Sequence, residues 1–168
     1  FISNGPLGSG IPVAQGLALG DKLAQRDRVT FCVISDGACM EGEAKEAMAA
    51  IPGLAGRNEM NPFILSVSDN DTKLSGRISA DSFSMEPTFA GLADLGWNVR
   101  PVKEGQNLEK VYQAVEQAVA EAKGDPRRPA CLWVNTIKGY GVKETEKSSS
   151  GGHGLHLQDG EKILQSLE

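Results

Sequence analysis

The chain of 168 residues has no cluster of Lys and Arg, and at a net charge of −5 it offers no basic face to neutralise a run of nucleic-acid phosphates. It also lacks any apolar run of 18 residues, so no segment reads as a membrane-spanning helix. Cysteine is scarce. Of the three, Cys32 and Cys131 fall inside expected strands, which suits reduced thiols packed as small hydrophobes and a cytoplasmic compartment. No internal repeat is evident, and no signal peptide is legible at a start that opens on Phe1 and enters a Gly-rich loop almost at once. On that ground the chain reads as an excised piece of a larger protein.

What is present is enough for one domain with a core: 40% apolar and 23% charged residues are ordinary for a globular protein of this length. Ile11, Ala14, Leu17 and Ala18 recur at helical spacing, predicting a first helix over residues 11–23 with Pro12 tolerated in its first turn. Strands are expected at 29–34, 63–68, 98–102 and 130–136, with Pro101 placing the third near a sheet edge. Helices are expected at 42–50, 84–95 and 108–122, the last behind an Asn107 cap and before Gly124. The stretch 52–62 reads as a lengthened surface loop, and everything from Lys138 onward as loop, with Ser148-Ser-Ser-Gly-Gly152 a flexible or ligand-closing segment. Strands alternating with helices imply βαβ crossovers, and so a three-layer α/β/α sandwich around a mostly parallel sheet.

Two of the apolar strands end in oxygen donors. Ser35-Asp-Gly follows the first, and Asp69-Asn-Asp-Thr72 follows the second. Taken singly, Asp-Gly and Asn-Asp are ordinary turn formers. Together, the Asp36 carboxylate, the Asn70 side-chain carbonyl and the Thr72 backbone carbonyl form a hard-oxygen set suited to Mg²⁺ or Ca²⁺, with coordination positions left for a phosphate-bearing ligand. In open parallel sheets ligands sit beyond the carboxyl ends of the strands, where these groups fall.

The Gly5-Pro-Leu-Gly-Ser-Gly10 loop before the first helix is not the dinucleotide fingerprint G-x-G-x-x-G. Its glycines nonetheless let backbone N–H groups approach a diphosphate at a helix N-terminus. The loop contains no Lys or Arg, so a bound diphosphate there requires a divalent metal. Three protein ligands, two phosphate oxygens and a water complete an octahedron.

Gly5-Pro-Leu-Gly-Ser-Gly10, Asp36-Gly-Ala-Cys-Met-Glu-Gly42, Thr136-Ile-Lys-Gly-Tyr-Gly141 and Gly152-His-Gly154 occur in an order that resembles the diphosphate-binding domain of transketolases. The resemblance implies a thiamine-diphosphate enzyme of the pentose phosphate pathway that moves a two-carbon ketol unit between sugar phosphates. It assigns Gly5, Leu7, Asp36, Gly37, Asn70 and His153 to the cofactor, with His153 also the catalytic residue near substrate, and Asp36, Asn70 and Thr72 to the metal. It places Glu41 and Glu46 at a subunit interface that connects two active sites, in a homodimer or heterotetramer. The pyrimidine-binding domain of such enzymes has no counterpart here, so the chain is expected to form half of a site. Ser35 stands where the family usually has Gly, without touching a ligand. A deoxyxylulose-phosphate synthase, a 2-oxoacid dehydrogenase component, or a non-catalytic metal- or nucleotide-binding α/β module are the alternatives.

Overall fold

The computed structural model describes residues 5–148, 150, 152–153 and 164–165. Four parallel strands form the sheet: β1 (Thr30–Ser35), β2 (Phe63–Asp69), β5 (Asn98–Val102) and β6 (Ala130–Asn135), in the order β1-β2-β6-β5. Helices α1 (Gly10–Leu23) and α2 (Gly42–Gly56) cover one face. Between β2 and β5 lie a small antiparallel hairpin, β3 (Thr72–Lys73) with β4 (Gly76–Arg77), then α3 (Ile78–Asp81) and α4 (Glu86–Gly91). Helix α5 (Leu108–Gly124) covers the other face, and α6 (Lys143–Lys147) follows β6.

Alternation along the strands explains the layers. Leu132 and Val134 of β6 pack with Ala114, Ala118 and Ala122 of α5, whereas Cys131 and Trp133 join the α1 and α2 side with Ile11, Ala18, Met48 and Ile51. Alternate side chains of a strand point to opposite faces, so each strand feeds both cores. The alanines let α5 lie close on the sheet. Its amphipathic period and the Asn107 cap, whose side chain accepts from the Lys110 N–H, make it the helix that sequence defines best. On β1 the same alternation leaves Phe31 and Val33 exposed at 41% and 69%, because α5 does not reach that edge.

The α/β/α expectation is borne out, and Pro101 does lie on the edge strand β5. Several local readings need correction. Residues 52–62 do not begin as a surface loop: α2 runs on to Gly56 with Pro52 buried inside it. Proline removes the N–H that would bond the carbonyl four residues back, that of Met48. The buried Trp97 indole N–H donates to that carbonyl at 2.7 Å, so the interrupted turn has no orphaned acceptor. The helix expected at 84–95 shrinks to Glu86–Gly91, with turns following. The loop after Lys138 contains α6, and the β3–β4 hairpin and α3, too short to show a period, were not foreseen.

Candidate functional site

Asp36 directly follows β1 and is 1% exposed, inside a turn built to receive its carboxylate. Oδ1 accepts from the Gly37 N–H at 2.8 Å, and Oδ2 accepts from the N–H groups of Asn70 at 2.9 Å and Asp71 at 2.6 Å. Adjacent parallel strands bring these together, since β1 pairs with β2 residue for residue through Ser35 and Ser68. Burial pushes the Asp36 carboxyl up to about 6 despite those three N–H bonds, which pull it down. Among the described residues no Lys, Arg or His forms an ion pair with it. A buried carboxylate with lone pairs to spare and no cation of its own fits a metal ligand.

The second strand end completes the oxygen set. Asn70 Oδ1 accepts from the Thr72 N–H at 3.0 Å, while Nδ2 donates to the Ser68 carbonyl at 3.3 Å. That bonding settles which end of the amide is oxygen and leaves Oδ1 a second lone pair. Thr72 is buried, and its carbonyl oxygen lies 3.3 Å from where a Cβ on Gly37 would stand. Glycine at 37 therefore keeps the space between the Asp36 turn and the Thr72 carbonyl open. Asp71, between them, holds φ at 55°. Its carboxylate secures the turn by accepting from the Ser79 N–H at 2.7 Å and hydroxyl at 2.8 Å. Ser35 is not among the described residues with positive φ, and its hydroxyl accepts from the Ala38 N–H at 3.3 Å, so the departure from glycine fits without strain.

The other residues singled out from the sequence lie on separate segments of the chain. Gly5 and Leu7 lie exposed in the loop before α1. That loop sits against the Asp36 segment: Gly8, at φ 92°, faces Glu41, where a Cβ would come within 2.6 Å of the Glu41 Cβ. Glu41 and Glu46 are exposed at the start and first turns of α2. His153 is exposed, with Nδ1 3.3 Å from the Lys138 ammonium. Among the described residues no hydrogen bond joins His153 directly to the Asp36 cluster. Gly154 and His156 lie outside the described residues.

Three participants had no signal strong enough to be singled out. Asp69 Oδ2 accepts from the Trp133 indole at 2.6 Å and from Asn135 at 3.0 Å, binding the ends of β2 and β6 together. Lys103 stands 5.1 Å from the Trp133 ring centre, and a cavity of about 210 Å³ opens there onto Asp36, Asp69 and Asp71. Arg77 joins the oxygen cluster to the segment after α6. Only Asp69 was readable, as a neighbour of Asn70.

Residues 2–166 match the family described as transketolase, thiamine diphosphate binding domain. The chain belongs to the transketolase family. It is 34% identical over 165 residues to the transketolase of Geobacillus stearothermophilus, covering 92% of this chain and 23% of that protein. Among solved structures, the transketolase of Campylobacter jejuni superimposes with a TM-score of 0.76 at 28% identity, over 98% of this chain and 25% of that one. A transketolase from Pichia stipitis, in complex with sedoheptulose-7-phosphate, gives 0.72 at 26% identity, over 92% and 22%. The chain thus spans about a quarter of the length of the transketolases it matches.

Proposed function

We propose that this transketolase-family chain supplies the diphosphate and metal side of a site that transfers a two-carbon ketol unit from a ketose phosphate to an aldose phosphate. The observation that carries the reading is the buried Asp36 carboxylate, without a cation of its own, beside Asn70 Oδ1 and the Thr72 carbonyl. These three oxygens would hold Mg²⁺, or Ca²⁺, and through it the diphosphate. Gly5, Leu7 and Gly37 would line the approach, where backbone N–H groups can meet phosphate oxygens. Thiamine diphosphate supplies the nucleophilic carbon needed to break and remake a carbon–carbon bond next to a carbonyl.

His153 contributes a proton donor or acceptor at a sugar hydroxyl. The Lys138 ammonium can only donate, so when it bonds Nδ1 the imidazole proton rests on Nε2, the nitrogen left for substrate. Exposed Glu41 and Glu46 suit a subunit interface, in a homodimer or heterotetramer. A pyrimidine-binding domain or subunit would hold the remainder of the cofactor and grip the sugar phosphate. The sugar complex of the Pichia stipitis relative supports that substrate class. Three buried, unpaired cysteines accord with a cytoplasmic enzyme.

Calorimetry with thiamine diphosphate plus Mg²⁺ against ATP plus Mg²⁺ separates this reading from a nucleotide-binding module. Preference for ATP would overturn it. Ketol transfer should be undetectable from the 168-residue chain by itself and appear when a pyrimidine-binding domain from the same source is added.

A further inference from the structure

Arg77, at the end of β4, is half-buried and spends its planar guanidinium on two separate loops. Nη1 donates to the Thr72 hydroxyl at 3.0 Å and to the Asn70 carbonyl at 3.4 Å, on the oxygen cluster. Nη2 donates to the Ser148 carbonyl at 2.9 Å, on the segment that leads to His153. Asp81 steadies the hairpin behind it by accepting from the Arg77 N–H at 2.9 Å.

From Ser148 the connection runs on through short links. The Ser148 hydroxyl meets the Ser150 hydroxyl at 3.1 Å and accepts from the Ser150 N–H at 3.3 Å, and the His153 N–H donates to the Ser150 carbonyl at 3.2 Å. The segment is folded on itself. Thr145 donates its hydroxyl to the Gly139 carbonyl at 2.6 Å, and Gly152, at φ 76°, lies where a Cβ would come within 2.6 Å of Thr145 Cγ2. These contacts tie the described residues of the segment to one another, and Arg77 is what fastens them by hydrogen bonds to the oxygen cluster among the described residues.

We propose that Arg77 is a positioning residue that couples the Asn70–Thr72 metal loop to the segment carrying His153, so that occupation of the oxygen cluster and placement of the imidazole are set together. The inference rests on the transketolase reading for what the coupling serves, though not for the coupling itself. A guanidinium fork can serve both loops at once, whereas the point charge of lysine serves one.

Hydrogen exchange of the ligand-free chain tests the fastening directly. In Arg77→Met, and in Arg77→Lys should the methionine variant disturb the hairpin, the Val142, Thr145, Ser148 and His153 amides should exchange roughly tenfold faster, with those of β2 and β6 unchanged. Wild-type exchange at those four amides in either variant overturns the proposal. The second arm uses ¹⁵N-histidine, convenient because the chain has two histidines, so His156→Ala assigns His153. On adding thiamine diphosphate and Mg²⁺, the His153 imidazole signal should move in the wild type. It should stay still in Arg77→Met, although the cofactor binds within about threefold of wild type. A full His153 response in that variant also overturns the coupling. Failure of the wild-type chain to bind the cofactor even when assembled with a pyrimidine-binding domain would defeat the functional reading instead, and leaves the exchange result to judge the fastening.

Discussion

The turn that carries Asp36 is held by backbone, and the loop that carries His153 is held by side chains. Three N–H groups from the turns that follow two neighbouring strands converge on the Asp36 carboxylate, so its position follows from the register of β1 on β2. His153 is tied to Ser150 by one backbone bond, and from there its tie to the oxygen cluster runs through serine hydroxyls and one arginine, with a lysine at its ring. Backbone-held geometry survives most substitutions nearby, because the donors belong to every residue type except proline. A side-chain relay can be loosened at any member. On the proposed reading the fixed part suits a metal that must meet ideal geometry, and the adjustable part suits a group that meets substrate.

Removing the fixed centre should have the largest effect. Asp36→Ala takes away the carboxylate proposed to hold the metal and leaves three partly buried N–H groups without their acceptor, and metal-dependent thiamine diphosphate binding should fall by roughly 100-fold or more. Titration of the assembled enzyme in excess Mg²⁺ decides it, and wild-type affinity would erase the distinction between the two regions. His153→Ala comes next, on a different axis. Turnover should drop by about 10²- to 10⁴-fold while cofactor affinity holds. Steady-state rates with a ketose phosphate and an aldose acceptor read this, and an unchanged turnover number would return His153 to an idle surface loop.

The pH dependence sharpens the contrast further. With its carboxyl raised from 3.8 to about 6, Asp36 holds its proton more tightly in the folded chain than in the unfolded one. Its contribution to stability is therefore complete below the ordinary carboxylate range and is lost as pH rises through about 6, on the order of 2 to 3 kcal/mol. Denaturant unfolding of the metal-free chain should show that decline between pH 4 and 7, and saturating Mg²⁺ with thiamine diphosphate should flatten it. An equal decline in Asp36→Asn would assign it to other groups. The smallest change is expected from Asn70→Ala: roughly tenfold weaker cofactor binding, since water can replace a neutral ligand. A loss as large as that of Asp36→Ala in the same titration would contradict this ranking.

The same division governs how much could be read from sequence. Asp36, Asn70 and Thr72 follow strands whose apolar runs are unmistakable, and the strand ends themselves bring them together. The α5 helix and the edge position of Pro101 were legible for the same reason, each being a local pattern with a local cause. Arg77, Lys138 and Asp69 act across 71, 15 and 64 residues respectively. Lys138 and Asp69 lie inside motifs that sequence marks, but nothing local gives their distant partners, and nothing marks Arg77 at all. The misreading of residues 52–62 has one source. Proline normally ends a helix, and the rule fails here because the Trp97 indole, 49 residues from Met48, donates to the Met48 carbonyl in place of the missing N–H.

That indole also gives the molecule a built-in optical readout. The chain has two tryptophans, and each donates its N–H to a different part of the structure: Trp97 to the helix carbonyl of Met48, Trp133 to Asp69 at the strand ends beside the oxygen cluster. Both are almost fully shielded from water, so their emission in the native state should be blue-shifted, with Trp133 the one whose partner is a carboxylate next to Asn70. Intrinsic fluorescence can thus follow the core and the site in one spectrum without an added label: a change on cofactor addition comes from Trp133, and the shift common to both marks global unfolding.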